Sequence, residues 1–270
     1  MTALCSHAGI STGFAEDDVQ NIAGSDELKS ETHGAVVAEM KRLLDGIKVI
    51  RHRSEPVVEE LVPEPILNWD DLARGHHHGT LWVWGGKGRP AAIIEVYTTV
   101  FEKKIKGWPG NVVHSLAPEG LRAAGTRQWD WAPDDPGFKP EKLLDVPAPS
   151  ATSKLRRLQM RKLAKRFSSN ETWNGNRTEL RLLPSPVRLY DSVDTGTLDG
   201  GLFAFVHGGT NPEVILIIEA IQRDTESFWQ FGCVRLGHAQ VQVLFDDREV
   251  WAAEKYGEND CKSPYYTLLP

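Results

Sequence analysis

Residues 79–96, GTLWVWGGKGRPAAIIEV, constrain the fold most, because the chain repeats their pattern at residues 200–217 as GGLFAFVHGGTNPEVILI. At a constant offset of 121 residues, glycine corresponds to glycine, leucine to leucine and aromatic to aromatic. The corresponding pairs are Gly79 and Gly200, Leu81 and Leu202, Trp82 and Phe203, Val83 and Ala204, and Trp84 and Phe205. Recurrence at a fixed spacing indicates an internal repeat.

The correspondence extends beyond these two stretches. At the same offset, a Pro-x-Pro, an aromatic residue, an aspartate and a glycine recur in the same order. These residues are Pro63, Pro65, Trp69, Asp70 and Gly75, which correspond to Pro184, Pro186, Tyr190, Asp191 and Gly196; further along, Trp108 and Arg127 correspond to Trp229 and Arg248. We interpret the chain as two copies of one unit of roughly 110 residues. The alternative is two unrelated β-hairpins that share ordinary strand chemistry.

Each copy begins with a helical pattern and continues with short apolar strands. Helices are predicted at residues 27–44 and 152–167, the second with Thr152 or Ser153 as its cap and an apolar side of Leu155, Leu158, Leu163, Ala164 and Phe167. Strands are predicted at residues 47–52, 57–67, 80–84, 91–100 and 111–116, and at 179–189, 202–206, 213–221, 227–236, 239–245 and 248–253. Pro63 and Pro65 interrupt the second strand, and residues 68–78 are predicted to form a loop.

The connections between these strands are short, which permits hairpins but no parallel crossovers. Strands 80–84 and 202–206 are apolar on both faces, so each must be covered on both sides. A helix on one face and the other copy on the opposite face satisfies this requirement. The predicted fold is therefore α+β, with two similar helix-plus-antiparallel-meander units, an internal duplication, packed with approximate twofold symmetry.

Composition sets the predicted domain boundaries. Residues 1–26 are small, polar and acidic and are predicted to form a disordered lead, and residues 27–131 the first α+β repeat. Residues 132–150 are a Pro-rich acidic linker, residues 151–255 the second α+β repeat, and residues 256–270 a tail without a clear period.

The bulk composition excludes some function classes. The net charge of −6 gives no whole-molecule attraction to nucleic acid or to an anionic membrane, although a local patch can still provide one. Three cysteines, Cys5, Cys233 and Cys261, lack the spacing of disulfide or metal motifs and are expected to be reduced thiols. The amino-terminal residues lack a signal-peptide pattern, and no apolar run reaches the roughly 18 residues of a membrane span. We expect a soluble, cytoplasmic protein, and its oligomeric state stays open.

Three adjacent histidines, His76, His77 and His78, suggest a metal site. Adjacent residues point in different directions, however, whereas metal motifs space their ligands so that they converge. The second copy has no histidine at the corresponding positions. We favour a solvated loop and expect neither a bound metal nor a cofactor.

His207 ends a buried-looking strand, and Glu219 lies on the partner strand of the same hairpin. A histidine and a carboxylate within reach of each other can act as general base and orienting group. No nucleophile in a recognisable context accompanies them, so we favour a structural histidine. Residues 85–88, Gly-Gly-Lys-Gly, resemble a phosphate loop only in composition, because they join two strands and do not precede a helix.

The second helix, residues 152–167, carries seven basic residues and no acidic one. A basic amphipathic helix can bind a polyanion, an anionic membrane or an acidic partner, and Arg157, Arg161 and Lys165 are the candidate binding residues. Alternatively, the helix is a solvated face whose counter-charges come from the acidic linker, which is the interpretation we favour. The linker acids are Asp134, Asp135, Glu141 and Asp145.

Several runs resemble an uncharacterised family of planctomycete bacterial proteins. They are LVPEPILNWDD, GTLWVWGGKGRPAAIIEVY, VPAPSATSKLRRLQMRKLAKRF, LRLLPSPVRLYDS and DGGLFAFVHGGTNPEVILIIEA, and the resemblance covers most of residues 35–255. It implies no activity and no site residue. Members of that family often carry export signals, so the resemblance implies export as the alternative location, with an amino terminus longer than the one given.

Two hypotheses from different classes remain. We favour a non-catalytic binding or scaffold protein that holds its partner in the groove between the copies or on the basic helix. Trp82, Trp84, Phe203 and Phe205 are then core anchors. The alternative is a small hydrolase-like enzyme centred on His207 and Glu219, with metal assistance from the histidine loop.

Overall fold

The computed structural model describes residues 34–52, 55–71, 77–101, 104–125, 130–208, 211–257 and 259–268. The predicted disordered segment 1–26, the start of the predicted first helix, His76 and Arg127 lie outside these residues. The chain divides into two compact units, Met1–Glu39 and Met40–Pro270. The first unit is described only over the helical residues 34–39, and the second contains every described strand.

Two helices lie in the described residues. Helix α1 covers residues 34–44, and helix α2 covers Ser153–Ala164. Thr152 caps α2, because its side chain accepts a hydrogen bond of 3.4 Å from the backbone N–H of Leu155. The predicted second helix and its cap are therefore confirmed, but the helix ends at Ala164, and Phe167, which was predicted on its apolar side, begins the following strand, Phe167–Trp173.

The buried side of α2 differs from the prediction. Leu155 and Leu158 are 50% and 45% exposed, whereas Met160 is fully buried. The reason lies one turn earlier, where Arg156 reaches inward to the buried carboxylate of Asp199. Because residues four apart share a helix face, Arg156 and Met160 define the inward side and turn the two leucines outward.

The strands of the first half alternate with short connections. They are β1 (Lys48–Arg51), β2 (Val57–Glu59), β3 (Leu67–Asp71), β4 (His77–Trp84), β5 (Ala92–Phe101), β6 (Lys104–Ser115), β7 (Leu121–Ala124), β8 (Asp130–Trp131) and β9 (Glu141–Lys142). Those of the second half are β10 (Phe167–Trp173), β11 (Asn176–Leu182), β12 (Arg188–Ser192), β13 (Thr197–Val206), β14 (Pro212–Arg223), β15 (Glu226–Arg235), β16 (Gln240–Phe245), β17 (Arg248–Ala253) and β18 (Tyr265–Leu268).

The described strands form three sheets whose neighbouring strands are antiparallel. A four-stranded sheet has the order β2-β1-β7-β8, and a five-stranded sheet has the order β18-β6-β5-β4-β3. A nine-stranded sheet follows the order β17-β16-β10-β11-β13-β14-β15-β9, and β12 pairs with β13 beside this path. The protein is therefore α+β and rich in antiparallel sheet, as the short connections predicted.

The two faces of the central strands bury different groups. Leu81 of β4 and Leu202 of β13 lie in one apolar core, shared by the five-stranded and nine-stranded sheets. Phe203 and Phe205 point to the opposite face of β13, because side chains alternate along a strand, and they pack in a second core with Met160 of α2. The prediction that β13 is covered on both sides is thus confirmed.

Several predicted boundaries were wrong. Residues 68–71 belong to β3 rather than to a loop, because they form a ladder with β4 from Asn68 opposite Thr80 to Asp71 opposite His77. Strand β10 was missed because its sequence, FSSNETW, is mostly polar. Its two-residue turn, Asn174-Gly175 with positive φ angles of 50° and 80°, is the strongest sequence signal for a hairpin and would have revealed it.

The predicted linker and tail also contribute strands. Strand β9, from the linker, adds to the edge strand β15 of the second half. Strand β18, from the tail, adds to the edge strand β6 of the first half. Each of these segments therefore extends the sheet of the half to which it does not belong in sequence. No helix in the described residues is long and apolar enough to cross a membrane.

Candidate functional site

A cavity of about 550 Å³ lies between the five-stranded sheet and one end of the nine-stranded sheet. Four carboxylates line it, from Asp71, Glu95, Glu171 and Glu213. Aromatic and imidazole rings complete much of the wall, from Trp69, Tyr97, Trp173, His77, His207 and His238. We name it the acidic cavity. Its volume falls within the roughly 300–1,000 Å³ of small-molecule sites.

Glu95 is the most buried carboxylate of the acidic cavity, at 2% exposure. It lies on β5 opposite Leu81, so its side chain shares the face that packs against the second half. The indole Nε1 of Trp69 donates a hydrogen bond of 2.8 Å to its Oε1, whereas its Oε2 receives none from the described residues. Burial, and then the charge of Glu213, raise the pKa of Glu95 well above its usual value, against the opposing effect of the Trp69 bond.

Glu213 is held by the turns at the end of the second half. Asn211 Nδ2 donates to its Oε1 at 2.8 Å, and the backbone N–H of Leu236 donates to its carbonyl oxygen at 2.8 Å. A Cβ on Gly237 would lie 1.5 Å from Glu213 Oε2, so this close approach requires glycine. The guanidinium of Arg235 lies nearby, but it donates its described hydrogen bonds to backbone carbonyls.

His207 pairs with Glu171 at the wall of the acidic cavity. Its Nδ1 is hydrogen-bonded to Glu171 Oε1, and Glu171 lies on β10 opposite Thr178 of β11. His238 also lines the cavity, and burial together with the charge of Arg235 lowers the pKa of its imidazole. The acidic cavity therefore holds a histidine–carboxylate pair. His207 forms this pair with Glu171, which was not among the residues predicted from the sequence.

The structure does not bring His207 and Glu219 together. In the antiparallel register, Glu219 lies opposite Gly200, at the far end of β13 from His207. Its carboxylate is fully buried and receives hydrogen bonds from Arg89 at 2.9 and 3.2 Å, from Tyr190 at 2.8 Å and from Gln230 at 2.7 Å. Arg89 also stacks on the ring of Phe138, 4.0 Å from its centroid. Glu219 thus belongs to a separate buried network at the other end of the interface between the halves.

The predicted histidine cluster is divided by the strand geometry. His77 and His78 are consecutive residues of β4, opposite Asp71 and Asp70, so they point to opposite faces of the sheet. His77 lines the acidic cavity, and His78 pairs with the partly exposed Asp70. Within the described parts of the chain, no group of three or more metal-ligating side chains could hold a metal ion.

Three of the seven basic residues at 152–167 pair with aspartates outside the linker. Arg156 and Arg157 bind the buried carboxylate of Asp199 through bonds of 2.6 and 3.0 Å, and Arg166 pairs with Asp246. Arg161 donates a long bond of 3.5 Å to the carbonyl oxygen of Arg157 and, with Lys165, lines a shallow groove beside Pro184. Of the linker acids, Asp145 lies close enough to Arg166 to help raise its pKa. The expected source of counter-charge was therefore mostly wrong.

Sequence reasoning missed the buried carboxylates of the acidic cavity. A usable signal was present, because Glu95 interrupts the apolar run IIEVY in a strand that must be covered on both faces. Glu213 gives a similar signal at the start of an apolar run, EVILII. A charged residue inside such a run is buried with a partner or lines a cavity.

Comparison with known proteins gives no relative from which a function could be transferred. No family model, no curated protein and no solved structure matches the chain. The resemblance to a planctomycete family therefore stays a prediction, and function has to be argued from the acidic cavity itself.

Proposed function

We propose that this protein is a non-catalytic binding protein that takes its ligand into the acidic cavity, between the two copies of a duplicated unit. The cavity carries the proposal, because its volume of about 550 Å³ exceeds that of two other pockets, of about 390 and 330 Å³, and it combines aromatic walls with buried polar groups.

Matching strand orders support the duplication. The order β2-β1-β7-β8 in the first half recurs as β11-β10-β16-β17, and β6-β5-β4-β3 recurs as β15-β14-β13-β12. Registers match as well, since Trp69 lies opposite Gly79 and Tyr190 opposite Gly200. A Cβ on either glycine would lie 2.0 and 2.2 Å, respectively, from the facing ring. Two unrelated hairpins have no reason to share these details.

The exchanged edge strands support an approximate twofold axis between the copies. Strand β9 follows the first copy and pairs with the second, and β18 follows the second copy and pairs with the first. Reciprocal contacts of this kind are those of an isologous, twofold interface. The acidic cavity lies at one end of this interface, where the first copy supplies Glu95 and the second supplies Glu213.

The acidic cavity is a stronger candidate than the basic helix. Three of the helix arginines, Arg156, Arg157 and Arg166, already pair with carboxylates, which leaves less charge for a partner. A pre-formed cavity costs a ligand little reorganisation, whereas exposed lysines and arginines must be ordered and desolvated on binding.

A second candidate is a hydrolase-like enzyme in which His207, oriented by Glu171, activates a water in the same cavity. Replacement of His207 by glutamine would abolish such an activity but would leave simple binding within a few fold. If a ligand that binds the cavity is turned over by the wild type but not by His207→Gln, the result favours the hydrolase-like enzyme over the binding protein.

Blocking the acidic cavity tests the proposed function. Thr178 lines it on β11, so Thr178→Trp would place an indole inside, while Thr172 lies on the adjacent strand and points away, opposite Arg177. Thr172→Trp is therefore the matched control. Both variants and the wild type are screened by thermal shift against small-molecule and short-peptide libraries. Ligands that stabilise the wild type and Thr172→Trp but not Thr178→Trp support the proposal, and a screen without such ligands refutes it.

A further inference from the structure

Backbone hydrogen bonds show which residues of β4 and β13 occupy corresponding positions in the two halves. The carbonyl oxygen of Val83 accepts a hydrogen bond of 2.9 Å from Val62 N–H. The residues 121 positions later, Ala204 and Leu183, form the same bond with the same length. The residues that precede the two acceptors therefore correspond as well.

The two helices lie on these strands at corresponding positions. The sulfur of Met40, in α1, lies 3.1 Å from Thr80 Oγ1 on β4. The sulfur of Met160, in α2, lies 2.7 Å from the point that a Cβ on Gly201 of β13 would occupy. Thr80 and Gly201 are again 121 residues apart. The residues one helical turn after the two methionines therefore correspond too.

At two of these corresponding positions the second half has the smaller side chain. The first half has Leu44 and Trp82, which are 1% and 0% exposed. The second half has Ala164 and Phe203, and both line a groove of about 330 Å³ beside the last turn of α2. The groove thus lies where the first half carries the larger pair of side chains. We name it the helix groove.

The remaining walls of the helix groove are apolar. The ring of Phe167 is held in the core, with its centroid 5.3 Å from that of Phe231 and 4.7 Å from that of Phe245. It therefore forms one wall of the groove. Three apolar side chains from the end of β11 and the residues after it complete the lining, those of Leu182, Leu183 and Pro184.

Two cationic side chains, those of Arg161 and Lys165, stand at the rim of the helix groove. They are four residues apart and so lie on the same side of α2. Three other arginines of this region pair with aspartates, whereas neither Arg161 nor Lys165 pairs with a carboxylate in the part of the chain that the structure describes. In the first half, the position of Lys165 is occupied by Asp45. The second half therefore combines an apolar space with two available positive charges.

We infer that the helix groove binds a small alkyl carboxylate, whose chain packs in the apolar floor and whose head group meets Arg161 and Lys165. Burial of the chain supplies affinity, and the guanidinium adds directed, charge-assisted hydrogen bonds. A peptide carboxyl terminus fits less well, because its amide groups would face walls that offer no polar partner. The groove shares no lining residue with the acidic cavity, so the inference does not rest on the proposed function.

Calorimetric titration of the full chain with three probes tests the ligand class. Octanoate carries both the chain and the charge, octanamide lacks the charge, and butanoate lacks half of the chain. We expect octanamide to bind about tenfold or more weakly than octanoate, because it loses the charge-assisted bonds. Butanoate should bind about a hundredfold more weakly, because four buried CH₂ groups are missing. Equal binding of octanoate and either other probe, or no binding of octanoate up to about 5 mM, overturns the inference.

A dipeptide probe tests the source of the carboxylate. Acetyl-Gly-Leu with a free carboxyl terminus presents the carboxylate at the end of a polypeptide. Weaker binding of the dipeptide than of octanoate supports the inference. Tighter binding overturns it and assigns the helix groove to the carboxyl terminus of a protein partner.

Substitutions in α2 and at its end test the assigned residues. Ala164→Leu introduces the larger residue of the first half and should abolish octanoate binding without lowering the melting temperature. Arg161→Gln combined with Lys165→Gln should weaken octanoate binding about tenfold or more and leave octanamide binding unchanged. Lys162→Gln is the matched control, because Lys162 is exposed and does not line the groove. If Ala164→Leu does not fold, the charge variants decide. Full-strength octanoate binding by Ala164→Leu or by the double variant, or an equal loss in Lys162→Gln, overturns the inference.

Discussion

Replacing Arg89 by methionine tests whether the buried network at Glu219 holds the two halves together. Methionine keeps an unbranched aliphatic stem but removes the guanidinium, with its hydrogen bonds to Glu219 and its stacking on Phe138. Glu219 is fully buried and would keep only Tyr190 and Gln230 as donors. Breaking a buried ion pair from one side costs about 3–5 kcal/mol, because the remaining charge is left unpaired. For a chain of this size, we expect the melting temperature to fall by about 6–20 °C.

A second substitution, Glu219→Gln, should change the stability of the wild type and that of Arg89→Met in opposite directions, which gives the reasoning a sharp test. Glu219→Gln should destabilise the wild type, since it breaks the pair, but it should stabilise Arg89→Met, since it removes the orphaned charge. Arg122→Met is the matched control, because Arg122 and Asp130 form a pair of similar length, 3.0 Å, with both side chains at least half exposed. Loss of this exposed pair should lower the free energy of unfolding by at most about 1 kcal/mol. Urea unfolding followed by tryptophan fluorescence measures all four. Equal midpoints for Arg89→Met and Arg122→Met would show that the network contributes nothing.

Three further predictions concern the core, the acidic cavity and the basic helix. Trp84→Ala and Phe205→Ala should each lower the free energy of unfolding by about 3–5 kcal/mol, because both rings are 1% exposed and truncation leaves a cavity. Unchanged midpoints of urea unfolding would contradict this. Glu95 has a raised pKa in the folded state, so its contribution to stability is present below its unfolded pKa and lost as pH rises through the folded one. Glu95→Gln should therefore gain stability over the wild type as pH increases, and a constant difference would contradict this. The intact protein should show no salt-sensitive binding to RNA, DNA or anionic vesicles at physiological salt. If it does bind one of them with an affinity that falls steeply with salt, and this binding is lost when Arg161, Lys162 and Lys165 are replaced by glutamate, the basic helix is a binding site after all.

The fold class was predictable because local chemistry alone determines most of it. Apolar strands joined by short turns can form only antiparallel ladders, and a strand that is apolar on both faces requires two covering layers. The side of α2 that is buried was not predictable in this way. It depends on Asp199, which is distant in sequence and binds Arg156 so firmly that Leu155 and Leu158 face solvent. An apolar stripe gives only an average preference, which one buried ion pair overrides.

The acidic cavity was hidden from the sequence for a different reason. Glu95 and Glu213 are far apart along the chain, and they meet only because the two sheets pack face to face. Pairing of His207 with Glu171, rather than with Glu219, likewise depends on which strands of the nine-stranded sheet are neighbours. Within one hairpin, sequence proximity suggests contact, but an antiparallel register can separate the two residues by the full length of a strand.

The turns that precede β5 and β14 differ in length, which hides one correspondence from the sequence. Trp84 pairs with Ala92 across the first turn and Phe205 with Val214 across the second, so the second turn is one residue longer. A constant offset of 121 residues therefore aligns Arg89 with Thr210, and the equivalence with Asn211 becomes visible only from the ladder. The same ladders place Tyr97 at the position of Glu219, because Gly79 lies opposite Tyr97 and Gly200 lies opposite Glu219. The carboxylate that binds Arg89 therefore has no counterpart at the equivalent position of the first half, and the buried network at Glu219 belongs to one end of the interface alone.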